Sequence, residues 1–337
     1  MKVLLYEQNA NMQKKSGIGR ALRHQKKALE LNGIETTFDK NDSYDFVHFN
    51  SCFPKSLRFA KKLDKKGVPY VVHGHSTYED FKESFRCWKL IEPWFDKCLT
   101  KMYGNAKYII TPTKYSKNLI ENYKCTKCPV EAISNGIDLQ EYAYNEEYIN
   151  KFKEHFQIKE GERVVIGIGL LFKRKGLHDF FEVARRMPEV KFIWFGHLQS
   201  ILVPHFINKQ IRKRPKNVLM PGYIDGAVIK GAMQAADLML FPSYEETEGI
   251  VALESLASKT PLLVRDIGVY EDWLEDGVNC YKGKNNDEFI EKINYIFTHD
   301  NSSIVENGYK VVQERSLDKI GAKLIEAYSN AKKCFNK

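Results

Sequence analysis

The chain has 337 residues, a length that suits two domains, each with its own hydrophobic core. Its 43% hydrophobic and 28% charged residues are typical of a globular protein and exclude a disordered one. No apolar run approaches the roughly 20 residues needed to cross a bilayer, and the start MKVLLYEQNA lacks a signal-peptide core. These features predict a cytoplasmic protein whose seven scattered cysteines stay reduced.

The net charge of +9 is unevenly distributed along the chain. Residues 1–127 contain 24 Lys and Arg against 13 Asp and Glu, whereas residues 128–337 contain 28 against 30. Such an excess indicates an anionic partner for the first part: nucleic acid, a membrane surface or a phosphorylated substrate. Because no zinc finger, RNA-binding signature or similar module is present, nucleic acid is not expected.

Short apolar segments alternate with longer amphipathic ones. In the first half, strands are predicted at 2–6, 46–49, 69–74, 107–112 and 130–135. In the second half, they are predicted at 163–169, 191–196, 217–222, 237–242 and 261–265. Helices are predicted between them, among others at 20–32, 55–66 and 114–123. Apolar strands separated by helices indicate parallel sheets covered on both faces, so we predict an α/β protein with two doubly wound, Rossmann-like domains.

The polar stretch 138–163 has no strand pattern and is the predicted join between the domains. The predicted organisation is an N-terminal domain at 1–150, a C-terminal domain at 151–316 and a last helix at 317–337. Ligands of such folds bind outside the carboxyl ends of the strands, so the expected site is the cleft where the two domains face each other.

Two predicted loops, one rich in glycine and one rich in cations, lie directly before a predicted helix. In KSGIGR, Gly17 and Gly19 precede a helix and would let backbone amides approach a phosphate or sugar; the alternative is an ordinary turn. In KRKG, Lys173, Arg174 and Lys175 precede a helix, where charge and amide dipoles together attract an anion. The alternative for these three cations is an exposed basic turn.

The segment HGHST places His73 and His75 at the end of a predicted strand. Because no third ligand stands at a suitable spacing, a metal site is not predicted here. We expect His73 to hydrogen-bond a substrate, with a structural histidine as the alternative. Cys125 and Cys128 also lack a second pair at zinc-site spacing.

The segment EETEGIVALE follows another predicted strand. Gly249 would let the chain turn at a helix start, so that the amides of Gly249, Ile250 and Val251 face a phosphate. Glu246 and Glu254 would then accept hydrogen bonds from the hydroxyls of a hexose and a ribose. With Lys175 on the diphosphate, this pattern predicts a nucleotide-sugar site. In the alternative, the first acids belong to the first helical turn and Glu254 is a solvated helix residue.

Residues 78–103 mix aromatic and basic side chains near helical spacing, and Pro93 is predicted to divide them into two helices. Such a mixture suits a helix that lies among lipid headgroups. The candidate membrane- or acceptor-binding residues are Trp88, Lys89, Trp94, Lys97 and Lys101. The alternative is that the aromatic side chains pack on the sheet and the lysines form the solvated face. The basic helix at 54–67 has the same two interpretations.

The segments EETEGIVALE, SNGID, TPTKYSKNLI, KSGIGR, VVHGHS and KRKG together resemble glycosyltransferase family 4, in the order and spacing of that family and over essentially the whole chain. The resemblance implies a GT-B fold, with the donor bound by the C-terminal domain and the last helix returning to the first domain. It also implies transfer from a nucleotide-activated sugar, with retention of the anomeric configuration and without an essential bound metal.

The resemblance also implies roles for individual residues. Lys175 would hold the diphosphate, Glu246 the donor hexose and Glu254 the ribose. His73 would lie beside the reacting sugar, and Gly17 and Gly19 near the diphosphate or the acceptor. One position departs from the family pattern, because Leu170 stands where many members have an arginine. Lys173 or Arg174 is the candidate replacement for that cation.

HGHST and KSGIGRALRHQ further resemble the branch that adds a second hexose to monoglucosyl-diacylglycerol, forming α-(1→2)-linked diglycosyl lipids. This implies UDP-glucose or UDP-galactose as co-substrate, glucosyl-diacylglycerol as acceptor and anionic lipids as partners of a peripheral protein on the cytoplasmic face of the membrane. No tightly bound cofactor is implied, and Mg²⁺ is left open as a stimulating ion rather than a structural ligand.

Two alternatives to this function stay open at the level of the sequence. The acceptor could be a capsule, teichoic-acid or polysaccharide precursor. The chain could also be a non-catalytic protein that binds a nucleotide sugar or a membrane, although binding alone would not require Glu246, Glu254, Lys175 and His73 together.

Overall fold

The computed structural model describes residues 1–8, 17–224 and 226–335. Its strands are β1 (Lys2–Tyr6), β2 (Glu35–Thr37), β3 (Phe46–Phe49), β4 (Tyr70–His73), β5 (Ile109–Thr111), β6 (Val130–Ala132), β7 (Val164–Ile168), β8 (Lys191–Phe195), β9 (Val218–Gly222), β10 (Leu238–Phe241), β11 (Leu262–Arg265) and β12 (Tyr281–Gly283). Its helices are α1 (Gly17–Leu31), α2 (Pro54–Lys66), α3 (Tyr78–Phe81), α4 (Trp88–Asn105), α5 (Lys114–Glu121), α6 (Glu146–His155), α7 (Leu177–Arg186), α8 (His205–Arg212), α9 (Ala227–Ala235), α10 (Ile250–Ala257), α11 (Asn286–Thr298), α12 (Ser302–Gln313) and α13 (Leu317–Phe335).

The chain forms two compact units. Unit 1 contains Met1–Phe81, Lys89–Asp138 and Glu314–Lys337, and unit 2 contains Lys82–Trp88 and Leu139–Gln313. Within the described residues, each unit is built on a six-stranded sheet whose neighbouring strands are all parallel. This arrangement confirms the predicted α/β architecture with two doubly wound sheets.

The sheet of unit 1 has the order β2-β1-β3-β4-β5-β6 and a hydrophobic core on each face. Successive strand residues point to opposite faces, so Leu4 of β1 belongs to one core while Val3 and Leu5 belong to the other. Side chains of α2, α4 and α5 complete the first core. Side chains of α1 and α13 complete the second, which includes Tyr328. The terminal helix is therefore part of the packing of unit 1.

The sheet of unit 2 has the order β12-β11-β10-β7-β8-β9. Every residue of β7 and β10 is buried, as expected for central parallel strands covered on both faces. Trp194 of β8 packs edge-on against Phe180 of α7, with 5.1 Å between ring centroids, and both lie in the core of this unit. The helix α7 buries its apolar side chains in the same core.

The edge strands β2 and β12 were not predicted. Each has three residues, and β2 reads Glu-Thr-Thr, with no buried residue. A strand at the edge of a sheet pairs on one side only and needs no continuous apolar run, so its sequence resembles that of a loop.

The predicted division at Pro93 is wrong, because α4 runs unbroken from Trp88 to Asn105. Pro93 has no N–H to donate to the carbonyl of Lys89, which lies in the first turn of the helix. The missing hydrogen bond is therefore confined to the amino-terminal end of α4, and the helix continues beyond it. The helical run instead breaks at 82–87, between α3 and α4. In that segment Glu83 and Cys87 have positive φ angles of 57° and 59°.

Candidate functional site

The strand order of unit 2 places two predicted loops at one position. The strands β7 and β10 are neighbours, although β8 and β9 lie between them in the chain and on the other side of β7. This is a topological switch point, where the loops after two adjacent parallel strands leave the sheet in opposite directions and open a crevice for a ligand. The KRKG loop follows β7 and the EETEG loop follows β10. Both loops therefore lie at the expected ligand position of this unit.

The three cations of the first loop form one turn of 3₁₀ helix, Lys173–Lys175. Lys173 forms an ion pair of 2.7 Å with Glu83. Arg174 donates to Ser84 Oγ at 2.9 Å and to the backbone carbonyl of Glu245 at 2.9 Å. The alternative of an exposed basic turn is wrong, because these side chains are held by neighbours of the same unit.

Lys175 and Glu246 lie in direct contact. Lys175 Nζ forms a short ion pair with Glu246 Oε1, and Arg174 Nη1 lies 3.9 Å from Glu246 Oε2. Only 8% of the Glu246 side chain is exposed. Burial raises the pKa of this carboxyl, but Lys175 and Arg174 more than offset burial and hold the pKa below its usual value. Glu246 is thus an ionised hydrogen-bond acceptor in a cationic pocket.

The positions of Lys173 and Arg174 indicate which of them is better placed to replace the arginine that is missing at Leu170. The Lys173 side chain is directed to Glu83, whereas the Arg174 guanidinium lies beside Glu246 in the pocket that holds Lys175. Of the two candidates for the missing arginine, Arg174 therefore has the better position to contact an anion bound near Lys175.

The helix α10 begins at Ile250, directly after Gly249. Gly249 has a φ of +82°, and a Cβ there would lie 2.8 Å from Tyr270 Oη, so the turn requires glycine. The first amides of a helix have no acceptor within it, which leaves those of Ile250 and Val251 suited to an anion. Glu246 and Glu248 precede the helix and are buried, so the alternative of first-turn acids is wrong.

Glu254 lies inside α10 with 1% of its surface exposed, so the alternative of a solvated helix residue is also wrong. Tyr142 donates its hydroxyl to Glu254 Oε1 at 2.8 Å. The sequence does not indicate this partner, because Tyr142 lies in the polar stretch predicted to join the domains, 112 residues before Glu254. Its aromatic ring does not single it out, because Tyr144 and Tyr148 lie in the same stretch.

Gly176 links the cationic turn to α7 with a φ of +71°, and a Cβ there would lie 2.3 Å from the carbonyl oxygen of Pro242. Gly176→Ala is therefore expected to lower the free energy of unfolding by about 3 kcal/mol or more, as measured by urea denaturation. The control is Gly161→Ala, where φ is +74° but nothing lies within 4 Å of the added atom, and the expected loss is about 1 kcal/mol. Equal losses in the two variants would show that the contact with Pro242 relaxes without cost.

In unit 1, His73 ends β4 and is buried. Its Nδ1 lies 3.0 Å from His48 Nε2 and 3.1 Å from Gln25 Nε2, and its ring stacks on that of His75 with centroids 3.8 Å apart. Burial lowers the pKa of His73 well below its usual value, and His75 and His48 lower it further, so the ring is neutral. No pattern in the sequence indicates His48 and Gln25 as the partners of His73.

The other predicted residues of unit 1 are placed as follows. The prediction that Gly17 and Gly19 precede the helix is wrong, because α1 begins at the exposed Gly17 and contains the buried Gly19 in its first turn. Residues 15 and 16 of the KSGIGR loop lie outside the described residues. In α4, Phe95, Leu99 and Met102 are buried in the core, so for these side chains the packing alternative holds. Trp94 is half exposed, with 49% of its surface accessible, and Lys89, Lys97 and Lys101 are exposed. Trp88, the first residue of α4, belongs to unit 2 and is partly buried.

The described part of the chain contains neither a cluster of metal ligands nor a helix that could span a membrane. No group of three or more His, Cys, Asp or Glu side chains within residues 1–8, 17–224 and 226–335 is arranged to hold a metal ion. None of the helices in these ranges combines the length and hydrophobicity needed to span a bilayer.

Two parallel α/β units, one with cations and acids at its switch point, define a protein of the GT-B class. The structure resembles sucrose-phosphate synthase from Thermosynechococcus elongatus, with a TM-score of 0.81, 14% identity and 98% of each chain covered. It also resembles Anabaena HepE in complex with UDP-glucose, with a TM-score of 0.79, 19% identity and coverage of 98% of this chain and 100% of that one.

The sequence profile of Glycosyltransferase Family 4 matches residues 17–141, and that of Glycosyl transferases group 1 matches residues 149–311. The chain is 56% identical to the processive diacylglycerol alpha-glucosyltransferase of Acholeplasma laidlawii over 328 residues. This alignment covers 97% of this chain and 98% of that protein. The chain belongs to glycosyltransferase family 4. This assignment confirms the resemblance found in the sequence and the prediction of an enzyme.

Proposed function

We propose that the enzyme transfers glucose from UDP-glucose to monoglucosyl-diacylglycerol and forms an α-(1→2)-linked diglucosyl lipid. The observation that carries this proposal is the 56% identity to a diacylglycerol alpha-glucosyltransferase over nearly the full length of both chains. Identity at this level extends over both units and supports an acceptor of the same class. UDP-galactose is the alternative donor, since it differs from UDP-glucose at one hydroxyl.

In this proposal the switch point of unit 2 binds the donor. Lys175, aided by Arg174, contacts the diphosphate together with the amides of Ile250 and Val251, because cations and helix-start amides both favour an anion. Glu246 accepts hydrogen bonds from the hexose. Glu254, oriented by Tyr142, accepts them from the ribose. The complex of HepE with UDP-glucose, a protein of the same fold, supports a UDP-sugar as the donor.

The chemistry would depend mainly on electrostatics and positioning. As the bond from the anomeric carbon to the phosphate oxygen breaks, UDP gains negative charge, which Lys175 and the amides stabilise without rearranging. His73 would lie beside the reacting sugar. The departing phosphate oxygen would take the proton of the acceptor hydroxyl, and the new bond would form on the face that the phosphate leaves. This sequence retains the anomeric configuration.

The test of this function is incubation with UDP-glucose or UDP-galactose and either diacylglycerol or monoglucosyl-diacylglycerol in mixed anionic micelles. We expect mass analysis to show addition of one hexose to monoglucosyl-diacylglycerol, and proton NMR of the product to show an α linkage at O2. Products with two or more added hexoses would extend the proposal to successive transfers. Turnover only with a teichoic-acid or polysaccharide precursor would contradict the proposed acceptor.

We further propose that α2 and α4 of unit 1 attach the enzyme to an anionic lipid surface. The exposed side of α4 combines Leu90 and Trp94, exposed by 82% and 49%, with lysines at positions 89, 97 and 101. The ring of Trp94 stacks on Phe53, directly before α2, with 5.8 Å between centroids. Exposed apolar and aromatic groups among lysines suit a helix at the headgroup level of a membrane.

Reversing three charges of α4, in the triple variant Lys89→Glu, Lys97→Glu and Lys101→Glu, is expected to weaken binding to anionic vesicles at least about 100-fold. Each basic residue near such a surface contributes on the order of 1 kcal/mol. The measurement is co-sedimentation with vesicles at low salt.

The matched control changes the same number of exposed lysines in unit 2, Lys209→Glu, Lys213→Glu and Lys216→Glu. These positions alter the net charge equally and should change vesicle binding only severalfold. Equal weakening in the two triple variants would show that net charge, and not the surface of α4, governs attachment.

A further inference from the structure

A chain of buried hydrogen bonds connects the terminal helix α13 to His73. Tyr328 Oη lies 2.7 Å from His48 Nδ1, and His48 Nε2 lies 3.0 Å from His73 Nδ1. The hydroxyl is held in place because the ring of Tyr328 packs on Phe46, with centroids 4.5 Å apart. All members of the chain are buried, so water does not compete for these hydrogen bonds.

A second branch reaches His73 from α1. Gln25 Nε2 lies 3.1 Å from His73 Nδ1 and 2.9 Å from Asn50 Oδ1, and His75 Nε2 lies 2.7 Å from the same Asn50 oxygen. Asn50 Nδ2 donates to the backbone carbonyl of His48 at 3.4 Å. That contact fixes the orientation of Asn50, since the opposite orientation would place two oxygen atoms against each other.

The direction of every hydrogen bond follows from these orientations. Because Asn50 Oδ1 is an acceptor, the Gln25 amide nitrogen faces it as a donor and presents its second hydrogen to His73 Nδ1. Burial lowers the pKa of His48 to about 3, with a further contribution from His75, and lowers that of His73 well below its usual value, so each ring carries one hydrogen. His73 Nδ1 must then be an acceptor.

It follows that His48 donates to His73 through Nε2, and that its Nδ1 accepts from the Tyr328 hydroxyl. The single hydrogen of His73 is therefore on Nε2. That atom is buried and has no hydrogen-bond partner among the described residues. His73 Nε2–H is therefore a buried donor at the carboxyl end of β4 that is available to an acceptor atom of a ligand.

We propose that Tyr328, His48 and Gln25 are positioning residues that fix His73 in its Nε2–H tautomer, so that His73 donates a hydrogen bond to a substrate oxygen and does not act as a base. This inference deepens the proposed function and rests on it for the substrate that His73 meets. The opposite tautomer would set a hydrogen on Nδ1 against the Gln25 amide donor and would require His48 to move its own hydrogen from Nε2 to Nδ1, so it is disfavoured by about 10- to 100-fold in population.

The tautomer can be tested without any substrate. We expect long-range proton–nitrogen NMR spectra of enzyme labelled with ¹⁵N-histidine at pH 7 to show a protonated Nε2 and an unprotonated Nδ1 for His73. The His73 signals are assigned by their loss in His73→Asn. A protonated Nδ1 in the wild-type enzyme would overturn the proposal. This measurement stays decisive even if the enzyme transfers no sugar to a glycolipid, an outcome that would contradict the proposed function alone.

The role of His48 is tested with a matched pair of variants. His48→Gln places an amide donor near the position of Nε2 and should keep the tautomer of His73 and kcat within about threefold of the wild type. His48→Leu removes the donor and should increase the population of the other tautomer and lower kcat about tenfold, with the KM for UDP-glucose unchanged. Equal kcat in both variants, whether normal or reduced, would overturn the positioning role.

If His48→Leu does not fold, Tyr328→Phe provides the second variant. It keeps the ring that packs on Phe46 and removes only the hydroxyl. We expect the tautomer population of His73 to change in the same direction as in His48→Leu but by less, with kcat about threefold lower. The ¹⁵N chemical shifts of both His48 and His73 should also change. Unchanged ¹⁵N chemical shifts at both histidines would show that Tyr328 does not help to position His73.

Discussion

Replacing Lys175 by alanine is expected to lower kcat for glucosyl transfer about 100- to 1,000-fold. Groups placed where charge develops in the transition state contribute on the order of 3–4 kcal/mol each, and Lys175 is the cation in contact with Glu246 at the switch point of unit 2. The variant should also lose affinity for UDP, measured by calorimetry, while its affinity for UMP changes less, because the second phosphate is the proposed partner of Lys175.

A lysine that pairs with a buried acid also contributes to stability, so a matched control is needed. Lys191, at the start of β8, forms an ion pair of 2.8 Å with Glu162, and the two side chains are 19% and 23% exposed. It lies at the amino end of its strand, away from the crevice at the carboxyl ends. Lys191→Ala should destabilise unit 2 but leave kcat within about threefold. If Lys175→Ala still distinguished UDP from UMP as the wild type does, Lys175 would not contact the diphosphate.

The sequence predicted the parts of the fold that depend on continuous apolar strands. The central strands β7 and β10 were found because burial on both faces leaves no polar position in them. The strands β2 and β12 were missed because each is a three-residue edge strand without an apolar run, ETT and YKG, whereas the edge strands β6 and β9 were predicted. The break between α3 and α4 was misplaced at Pro93, because the positive φ of Glu83 and Cys87 has no signature in non-glycine residues.

The candidate site was predictable where it depends on topology. Loops that follow parallel strands lie at the same edge of a sheet, so Lys175 and Glu246 could be expected near each other. Their partners could not be predicted in the same way. Tyr142 is 112 residues from Glu254, and Tyr328 is 280 residues from His48. Such contacts depend on how helices pack, and no periodicity in the sequence records which tyrosine reaches which acceptor.

The burial of Glu254 leads to the second large expected effect. Glu254→Gln preserves the shape of the side chain and removes its charge, so the hydrogen bonds from ribose hydroxyls change from charge-assisted to neutral. Hydrogen bonds to a charged group are about twice as strong as neutral ones, and a loss of about 2–3 kcal/mol corresponds to a 30- to 100-fold increase in the KM for UDP-glucose. Because the chemical step is remote from the ribose, kcat should fall much less.

The identity of the group that Glu254 binds is tested with a modified nucleotide. Calorimetry should show that the wild type binds UDP more tightly than 2′-deoxy-UDP and that Glu254→Gln loses most of this preference, because the missing hydroxyl is one that the carboxylate would accept from. Glu248→Gln is the matched control: Glu248 lies in the same segment and is 2% exposed, but it precedes α10 and has no proposed contact with the ribose. That variant should keep the preference even if its stability falls. If Glu254→Gln kept the full preference for UDP over 2′-deoxy-UDP, other residues would bind the ribose. Glu254 would then be only a structural partner of Tyr142.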